Sequence, residues 1–111
     1  MEVGIKEYKH CVLITLKGRV DSATAPELER KMDDLLQRGR FKIVVDMSGV
    51  EYMSSAGFRV LLSTQRNCRR YHRGEVVLAM VPQRVLEALD LAGFTKVFKI
   101  FDNLPDAIGH F

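Results

Sequence analysis

The sequence lacks the features that mark disulfide-rich or metal-binding proteins. It has no tryptophan and only two cysteines, Cys11 and Cys68, which both lie within apolar patterns. Two cysteines and three scattered histidines form no metal-ligand pattern, so neither a metal nor another cofactor is expected. We interpret both thiols as reduced core residues of a cytoplasmic protein, rather than as a disulfide or a reactive site.

Long apolar runs are also missing. The longest apolar stretch is far shorter than the roughly 20 residues that cross a membrane. The N-terminal stretch MEVGIKEYKH has neither the basic start nor the apolar core of a signal peptide. The chain has 111 residues, 47% of them hydrophobic and 28% charged, which is typical of a globular protein. We therefore expect a single domain over residues 1–111, in the cytoplasm and with no membrane partner.

The charge balance does not favour a nucleic-acid partner, since the formal net charge is only +3. The one dense basic stretch is RNCRRYHR, residues 66–73. It lacks the interleaved aromatic platforms on which bases would stack, and it follows a predicted helix, whose negative end attracts cations. Direct nucleic-acid binding is therefore not expected.

Hydrophobic periodicity predicts strands that alternate with helices. The predicted strands are Val3–Tyr8, Cys11–Leu16, Phe41–Val45, Glu75–Val81 and the segment TKVFKIF at 95–101. The first two form a hairpin, and Gly18 ends the second. The resulting order, β-β-α-β-α-β-α-β-α, predicts an α/β fold with a mixed, mostly parallel sheet and about four helices.

Two of the predicted helices begin beside the most polar segments of the chain. The first runs from a capping box at Thr24 and Glu27 to a stop at Gly39. The second has its apolar period from Phe58 onward and ends near His72. The other two helices begin at Pro82 and Asn103.

The segment DMSGVEYMSSAGFRVLL, residues 46–62, carries the most unusual chemistry. A strand is predicted to end at Asp46, and Ser54 and Ser55 precede the second helix. Sites gather where carboxyl ends of parallel strands meet helix N-termini. We therefore expect Asp46 and the two serines at one edge of the sheet, with residues 18–24 beside them.

The two serines have a structural and a functional interpretation. As an N-cap, either hydroxyl would contribute roughly 1 kcal/mol to the helix. However, one cap needs only one serine, and Ala56 and Gly57 leave a bare surface after them. A phosphate on a serine at a helix N-terminus is held locally and would repel a partner packed on that surface.

Catalytic interpretations have little support. Asp46 as a nucleophile or metal ligand would need further acidic groups and a cation, but Glu51 is the only other close carboxylate and no lysine accompanies it. We interpret Asp46 as an anchor for the backbone of a turn. Neither a GXSXG motif nor a glycine-rich phosphate loop is present, so no catalytic residue is assigned. Asp21 and Ser22 either start the first helix or form part of a docking face.

These residues resemble the STAS domain, the family of anti-sigma factor antagonists. The segment DMSGVEYMSSAGFRVLL is similar to the family signature, and LKGRVDSATAPELERKM and LDLAGFTKVFKIFDNLPDAI are similar to its early and final parts. The resemblance covers nearly the whole chain. It implies a regulatory protein that binds an anti-sigma factor, itself a serine kinase of the histidine-kinase-like ATPase type, and so frees a sigma factor. Phosphorylation would break the complex, and a metal-dependent serine phosphatase would restore it.

The resemblance also implies the site residues. The sporulation-type motif reads Asp-Ser-Ser-Gly, with the phosphorylated serine directly before glycine, whereas Ala56 occupies that position here. Ser55 is therefore the expected phosphorylation site, with Ser54 as the second choice. The expected partner-binding residues are Asp21, Ser22, Thr24, Ser54, Ser55, Ala56, Gly57 and Arg59. Ala56 keeps open the alternative of a member that is never phosphorylated, either a scaffold in a signalling or lipid-transport complex or a small-ligand binder.

Overall fold

A computed structural model describes residues 1–111 and has strands and helices in the predicted order. The strands are β1 (Glu2–Glu7), β2 (Val12–Val20), β3 (Lys42–Met53), β4 (Glu75–Ala79) and β5 (Ile100–Phe101). The helices are α1 (Ala25–Gln37), α2 (Ser55–Arg69), α3 (Gln83–Leu91) and α4 (Leu104–Gly109). The predicted α/β class is confirmed. None of these helices combines the length and apolarity that crossing a bilayer requires.

The five strands form one mixed sheet in the order β1-β2-β3-β4-β5. Strand β1 pairs antiparallel with β2, and all the other neighbours are parallel. A core cluster of 22 buried residues joins one face of the sheet to α1, α2 and α3. A smaller cluster of six joins the other face to α4. Each face is thus buried by the apolar side of helices that follow parallel strands.

Strands β2 and β3 are longer than their apolar runs indicated. Gly18 does not end β2, which continues to Val20, and Asp46 does not end β3, which continues to Met53. The two strands pair with each other down to Val20 and Met53, with irregularities in register near Gly18. Gly18 has φ +93°, which glycine tolerates, so the strand passes through a bulge rather than ending. Such bulges break the alternation on which the prediction relied.

Two other boundaries differ from the prediction. Helix α2 begins at Ser55 and ends at Arg69, and residues 70–72 form a separate 3-10 turn. The predicted strand over 95–101 shrinks to the two residues of β5, preceded by a 3-10 turn at 94–96. Phe98 is only 4% exposed. The apolar residues of this segment therefore pack on the core as a turn, which a short apolar run cannot distinguish from a strand.

The predicted starts of α1 and α4 differ in whether the cap forms. The capping box of Thr24 and Glu27 does not form, since Thr24 makes no side-chain cap on α1. At α4, the Asn103 Oδ1 atom accepts the backbone N–H of Asp106 at 2.9 Å. Thr24 does not cap α1 because its Oγ1 atom instead accepts the backbone N–H of Asp21 at 2.9 Å, on the loop side of the helix start.

Cys11 and Cys68 are buried and unpaired, as the sequence indicated. Burial raises the pKa of both thiols, that of Cys68 to about 12, in spite of the nearby cations Arg40 and Arg73. Since the thiolate is the reactive form, neither residue behaves as a nucleophile near neutral pH.

Candidate functional site

The carboxyl ends of β2 and β3 bring two polar segments together. Val20 and Met53 are paired at the last position of the two strands. The next backbone amide, that of Ser54, donates to the carbonyl of Val20 at 2.8 Å. The loop that enters α1 and the first turn of α2 therefore lie side by side. Of the residues 18–24 that we expected beside the serines, 21–24 form this loop, whereas 18–20 are the last residues of β2.

Asp46 does not join this edge, so that prediction is wrong. It lies within β3, opposite Ala79 at the end of β4, and the rest of β3 separates it from Ser54. The Asp46 side chain is nearly buried, and its Oδ1 atom accepts the backbone N–H of Ser48 at 2.9 Å. Its role as a backbone anchor holds, but within a strand rather than in a turn.

Asp21 fixes the turn that leads into α1. Its Oδ1 atom accepts the backbone N–H groups of Ala23 at 3.0 Å and Thr24 at 3.1 Å. These bonds, that of Thr24 foremost, hold the pKa of Asp21 below its usual value, and the Arg19 guanidinium at 4.0 Å adds to the effect. Asp21 and Thr24 thus organise the loop, while Ser22 is exposed on it.

The two serines have different environments, and neither side chain caps α2. Ser54 occupies the N-cap position with an extended backbone, but makes no side-chain cap bond. Its Oγ atom is buried and has no hydrogen-bond partner. Ser55 is the first residue of α2 and is exposed. The capping interpretation is therefore wrong for both, and the hydroxyl that solvent can reach is that of Ser55.

Gly57 does not form part of a bare surface for a partner, contrary to the expectation from the sequence. It is buried, and a Cβ atom added to it would lie 2.9 Å from both the Met53 Cγ and the Val20 Cγ1 atoms. Real Cβ atoms do not approach other carbons so closely. Gly57 therefore lets the first turn of α2 pack directly on the ends of β2 and β3.

A shallow groove of about 380 Å³ runs between α1 and α2, and Ala56, the residue after Ser55, is part of its lining. It brings together three of the expected partner-binding residues: Ser22, Ala56 and Arg59. Its other lining residues are Ala25, Pro26, Glu29, Val60 and Ser63. Sequence reasoning missed these, although Pro26 and Glu29 on α1 have the i, i+3 spacing of one helix face, and Ala56, Val60 and Ser63 on α2 have the i, i+4, i+7 spacing.

The charges in this groove are unpaired. Glu29 on α1 and Arg59 on α2 are exposed, and neither takes part in an ion pair. The floor between them contains the small or apolar side chains of Ala25, Ala56 and Val60. An apolar floor with free charges of both signs at its rim has the make-up of a protein-docking surface.

Known proteins are similar to this chain in sequence or in fold. BtrV of Bordetella bronchiseptica, whose name provisionally assigns it to the anti-sigma factor antagonists, is 29% identical over the whole chain and 95% of its own length. An anti-sigma factor antagonist of Mycobacterium paratuberculosis has a similar structure, with a TM-score of 0.88, 21% identity, and 98% and 92% of the two chains covered.

SpoIIAA of Bacillus, an anti-sigma factor antagonist solved in unphosphorylated and phosphorylated forms, also has this fold. Both forms have a TM-score of 0.79 and 16% identity; the alignment covers 98% of this chain and 96% or 98% of the other. The family model of the STAS domain matches residues 2–107. The chain therefore belongs to the STAS domain family.

Proposed function

We propose that this protein is an anti-sigma factor antagonist that is switched by phosphorylation of Ser55. In its unphosphorylated form it binds an anti-sigma factor, itself a serine kinase of the histidine-kinase-like ATPase type, and thereby frees a sigma factor. A metal-dependent serine phosphatase reverses the modification. The protein itself is a cytoplasmic binding module rather than an enzyme. The observation that carries the proposal is the exposed Ser55 hydroxyl beside the groove between α1 and α2.

Accessibility selects Ser55 over Ser54. A kinase must bring the γ-phosphate of ATP within bonding distance of the acceptor oxygen, and the buried Ser54 Oγ atom offers no such approach. A phosphate on Ser55 would also lie at the N-terminal end of α2. The free N–H groups and positive dipole end of a helix favour an anion at that position.

The same phosphate would weaken docking in the groove. It adds about 1.5 to 2 negative charges next to Ala56, which lines the groove. Arg59 follows Ser55 at i+4, so its guanidinium is within reach of the phosphate and becomes less available to a partner. That SpoIIAA has been solved in a phosphorylated form supports a switch of this kind in the family.

The remaining expected site residues have two kinds of role in this proposal. Ser22, Ala56 and Arg59 contact the partner directly, because they line the groove. Asp21 and Thr24 hold the loop that presents Ser22, through the hydrogen bonds described above. Ser54 and Gly57 position the first turn of α2 against the strand ends.

Incubation with the cognate kinase and ATP tests the switch. We expect the wild-type protein to gain about 80 Da, the mass of one phosphate group, and to leave the kinase. Ser55→Ala should remain bound and gain no mass, and Ser55→Asp should bind weakly. Ser54→Ala is the matched control, since it removes the neighbouring hydroxyl and should behave as wild type. Equal affinity of Ser55→Ala and Ser55→Asp would contradict the proposal.

A STAS subunit that is never phosphorylated remains the second candidate, because Ala56 replaces the serine directly before Gly57. Such a protein would form a complex whose stability does not change when ATP is added. Phosphate found only on Ser54 would instead retain the switch but overturn the choice of residue.

A further inference from the structure

Strand β1 forms an open edge of the sheet. It pairs only with β2, and five of its six residues are exposed. The opposite edge is protected, since β5 has only two residues and leads directly into α4. Natural proteins usually shorten or cover such edges, because unpaired backbone groups bind other strands. A six-residue edge strand with an exposed isoleucine, Ile5, is therefore able to pair with a further strand.

We propose that this partner is a second copy of the same chain, paired antiparallel through β1 about a two-fold axis at Gly4. The axis is perpendicular to the sheet, so each face of one copy continues into the same face of the other. Paired residues must then both be even-numbered or both odd-numbered, because side chains alternate between the faces. With Gly4 opposite Gly4 of the second copy, Glu2 lies opposite Lys6 and Val3 lies opposite Ile5.

This register is complementary on both faces of the strand. On one face, two Glu2–Lys6 pairs flank the bare centre left by Gly4, and neither side chain has an ion-pair partner within one copy. On the other face, Val3 and Ile5 continue the apolar layer that packs against α1, because they lie opposite Leu16 and Ile14 of β2. Opposite charges and apolar pairs across strands are both stabilising.

The neighbouring registers lack this complementarity. An axis at Ile5 would place Lys6 opposite Gly4, which leaves the Lys6 charge without a partner, and Glu7 opposite Val3, where Glu7 keeps only its ion pairs with Arg38 and Arg40 of its own chain. An axis at Lys6 would place two lysines face to face, which is repulsive. Of the axes at Gly4, Ile5 and Lys6, only the axis at Gly4 places opposite charges across the two strands.

The pairing would join two five-stranded sheets into one continuous sheet. Because the two β2 strands run in opposite directions, the two docking grooves would face opposite ends of the dimer. Both grooves would stay open, so this inference does not depend on the proposed switch.

Charge reversal at the two positions tests the register. By sedimentation equilibrium over a concentration series, we expect the wild-type chain to dimerise. Lys6→Glu and Glu2→Lys should each weaken the dimer about tenfold or more, since two attractive pairs become repulsive. An equimolar mixture of these two variants should dimerise again as a heterodimer, because one chain then carries two negative charges at these positions and the other chain carries two positive charges.

Lys96→Glu is the matched control, because it makes the same charge change at an exposed residue beyond the far edge of the sheet. It should leave the association constant unchanged. Circular dichroism checks that every variant is folded. A wild-type chain that stays monomeric throughout the series would overturn the proposal, and so would a dimer that the reversals weaken no more than Lys96→Glu does.

Discussion

The two ends of the parallel strands differ in how completely their polar groups are paired. The amino edge is the end where β4 begins, at Glu75, and the carboxyl edge is the end where β2 and β3 stop, at Val20 and Met53. At the amino edge, Glu75 accepts a hydrogen bond from His110 at 2.6 Å, and Arg69 and Lys99 lie within 3.7 and 3.8 Å of it. At the carboxyl edge, the Ser54 hydroxyl is buried without a partner. Glu29 and Arg59, which line the groove between α1 and α2, are also free of ion pairs.

This difference distinguishes polar groups that hold the fold together from polar groups that are free to contact a partner. A buried polar group without a partner destabilises the fold, so such groups are rare where the structure is optimised for stability. The amino edge holds the helices to the strands through bonds that are already made. The carboxyl edge leaves the exposed charges of Glu29 and Arg59 available, as the proposed docking surface requires.

The substitution with the largest expected effect on the free energy of unfolding is Gln65→Leu, at the amino edge. Gln65 is buried, and its side chain bonds three backbone groups: the N–H and C=O of Val76 and the C=O of Val97. Leucine would leave all three unpartnered, so we expect a loss of about 3 kcal/mol in the free energy of unfolding, measured by urea denaturation. Asn67→Leu is the control, since it removes one exposed bond from the same helix. Similar losses for both variants would contradict this account of Gln65.

At the carboxyl edge, Gly57→Ala has the largest expected effect on the free energy of unfolding. The added Cβ would meet the Val20 and Met53 side chains at 2.9 Å, so the first turn of α2 must shift. We expect a net loss of about 1 to 2 kcal/mol, although alanine gains up to about 1 kcal/mol of helix propensity. Gly109→Ala in α4 meets no atom within 4 Å and should lose nothing. If Gly57→Ala were as stable as wild type, the close packing would not explain this glycine.

Glu75→Gln tests the amino edge through pH. Burial raises the pKa of Glu75, but the His110 hydrogen bond and the charges of Lys99 and Arg69 outweigh it, so the net pKa lies below its usual value. The carboxylate therefore stabilises the fold above the unfolded-state pKa of about 4.3, and the contribution disappears as the pH falls through the folded-state pKa.

We expect Glu75→Gln to lose about 1 kcal/mol near neutral pH and to match wild type in strong acid, in urea titrations over a pH series. Glu87→Gln, on an exposed helix face, is the control and should show no such convergence. A difference between wild type and Glu75→Gln that persists unchanged into acid would show that packing, not charge, is responsible.

The sequence predicted the order of elements well because their apolar periods are regular. The stripe of Leu28, Met32 and Leu35 is buried in α1, and the β-branched run at 43–45 is buried in β3. Those patterns depend only on which side of an element faces the core, so they survive without knowledge of the neighbours. The placement of the two serines at the edge followed from the same order.

The details of the site could not be predicted, because they depend on contacts distant in sequence. Position 57 requires a glycine because the side chains of Val20 and Met53, which belong to two different strands, leave no room for a Cβ atom. The length of β3 follows from its pairing with β2 beyond the end of β4, which no local pattern of Asp46 and its neighbours records. The groove is formed by both α1 and α2, and the sequence alone does not show that these helices lie side by side. Its lining residues on α1, Pro26 and Glu29, were therefore missed.

The smallest expected effect is that of Ser54→Ala, and it bears most directly on the comparison. Ser54 and Asn103 both occupy N-cap positions, but only the Asn103 side chain makes the capping bond. Asn103→Ala should therefore lose about 1 kcal/mol in the free energy of unfolding. Ser54→Ala should change it by less than about 0.5 kcal/mol or stabilise the protein, because it removes a buried hydroxyl that has no partner. Equal losses in thermal and urea denaturation would mean that Ser54 is an ordinary cap. The carboxyl edge would then be as fully paired at this position as the amino edge, and the difference between the two edges would rest on the free charges of Glu29 and Arg59.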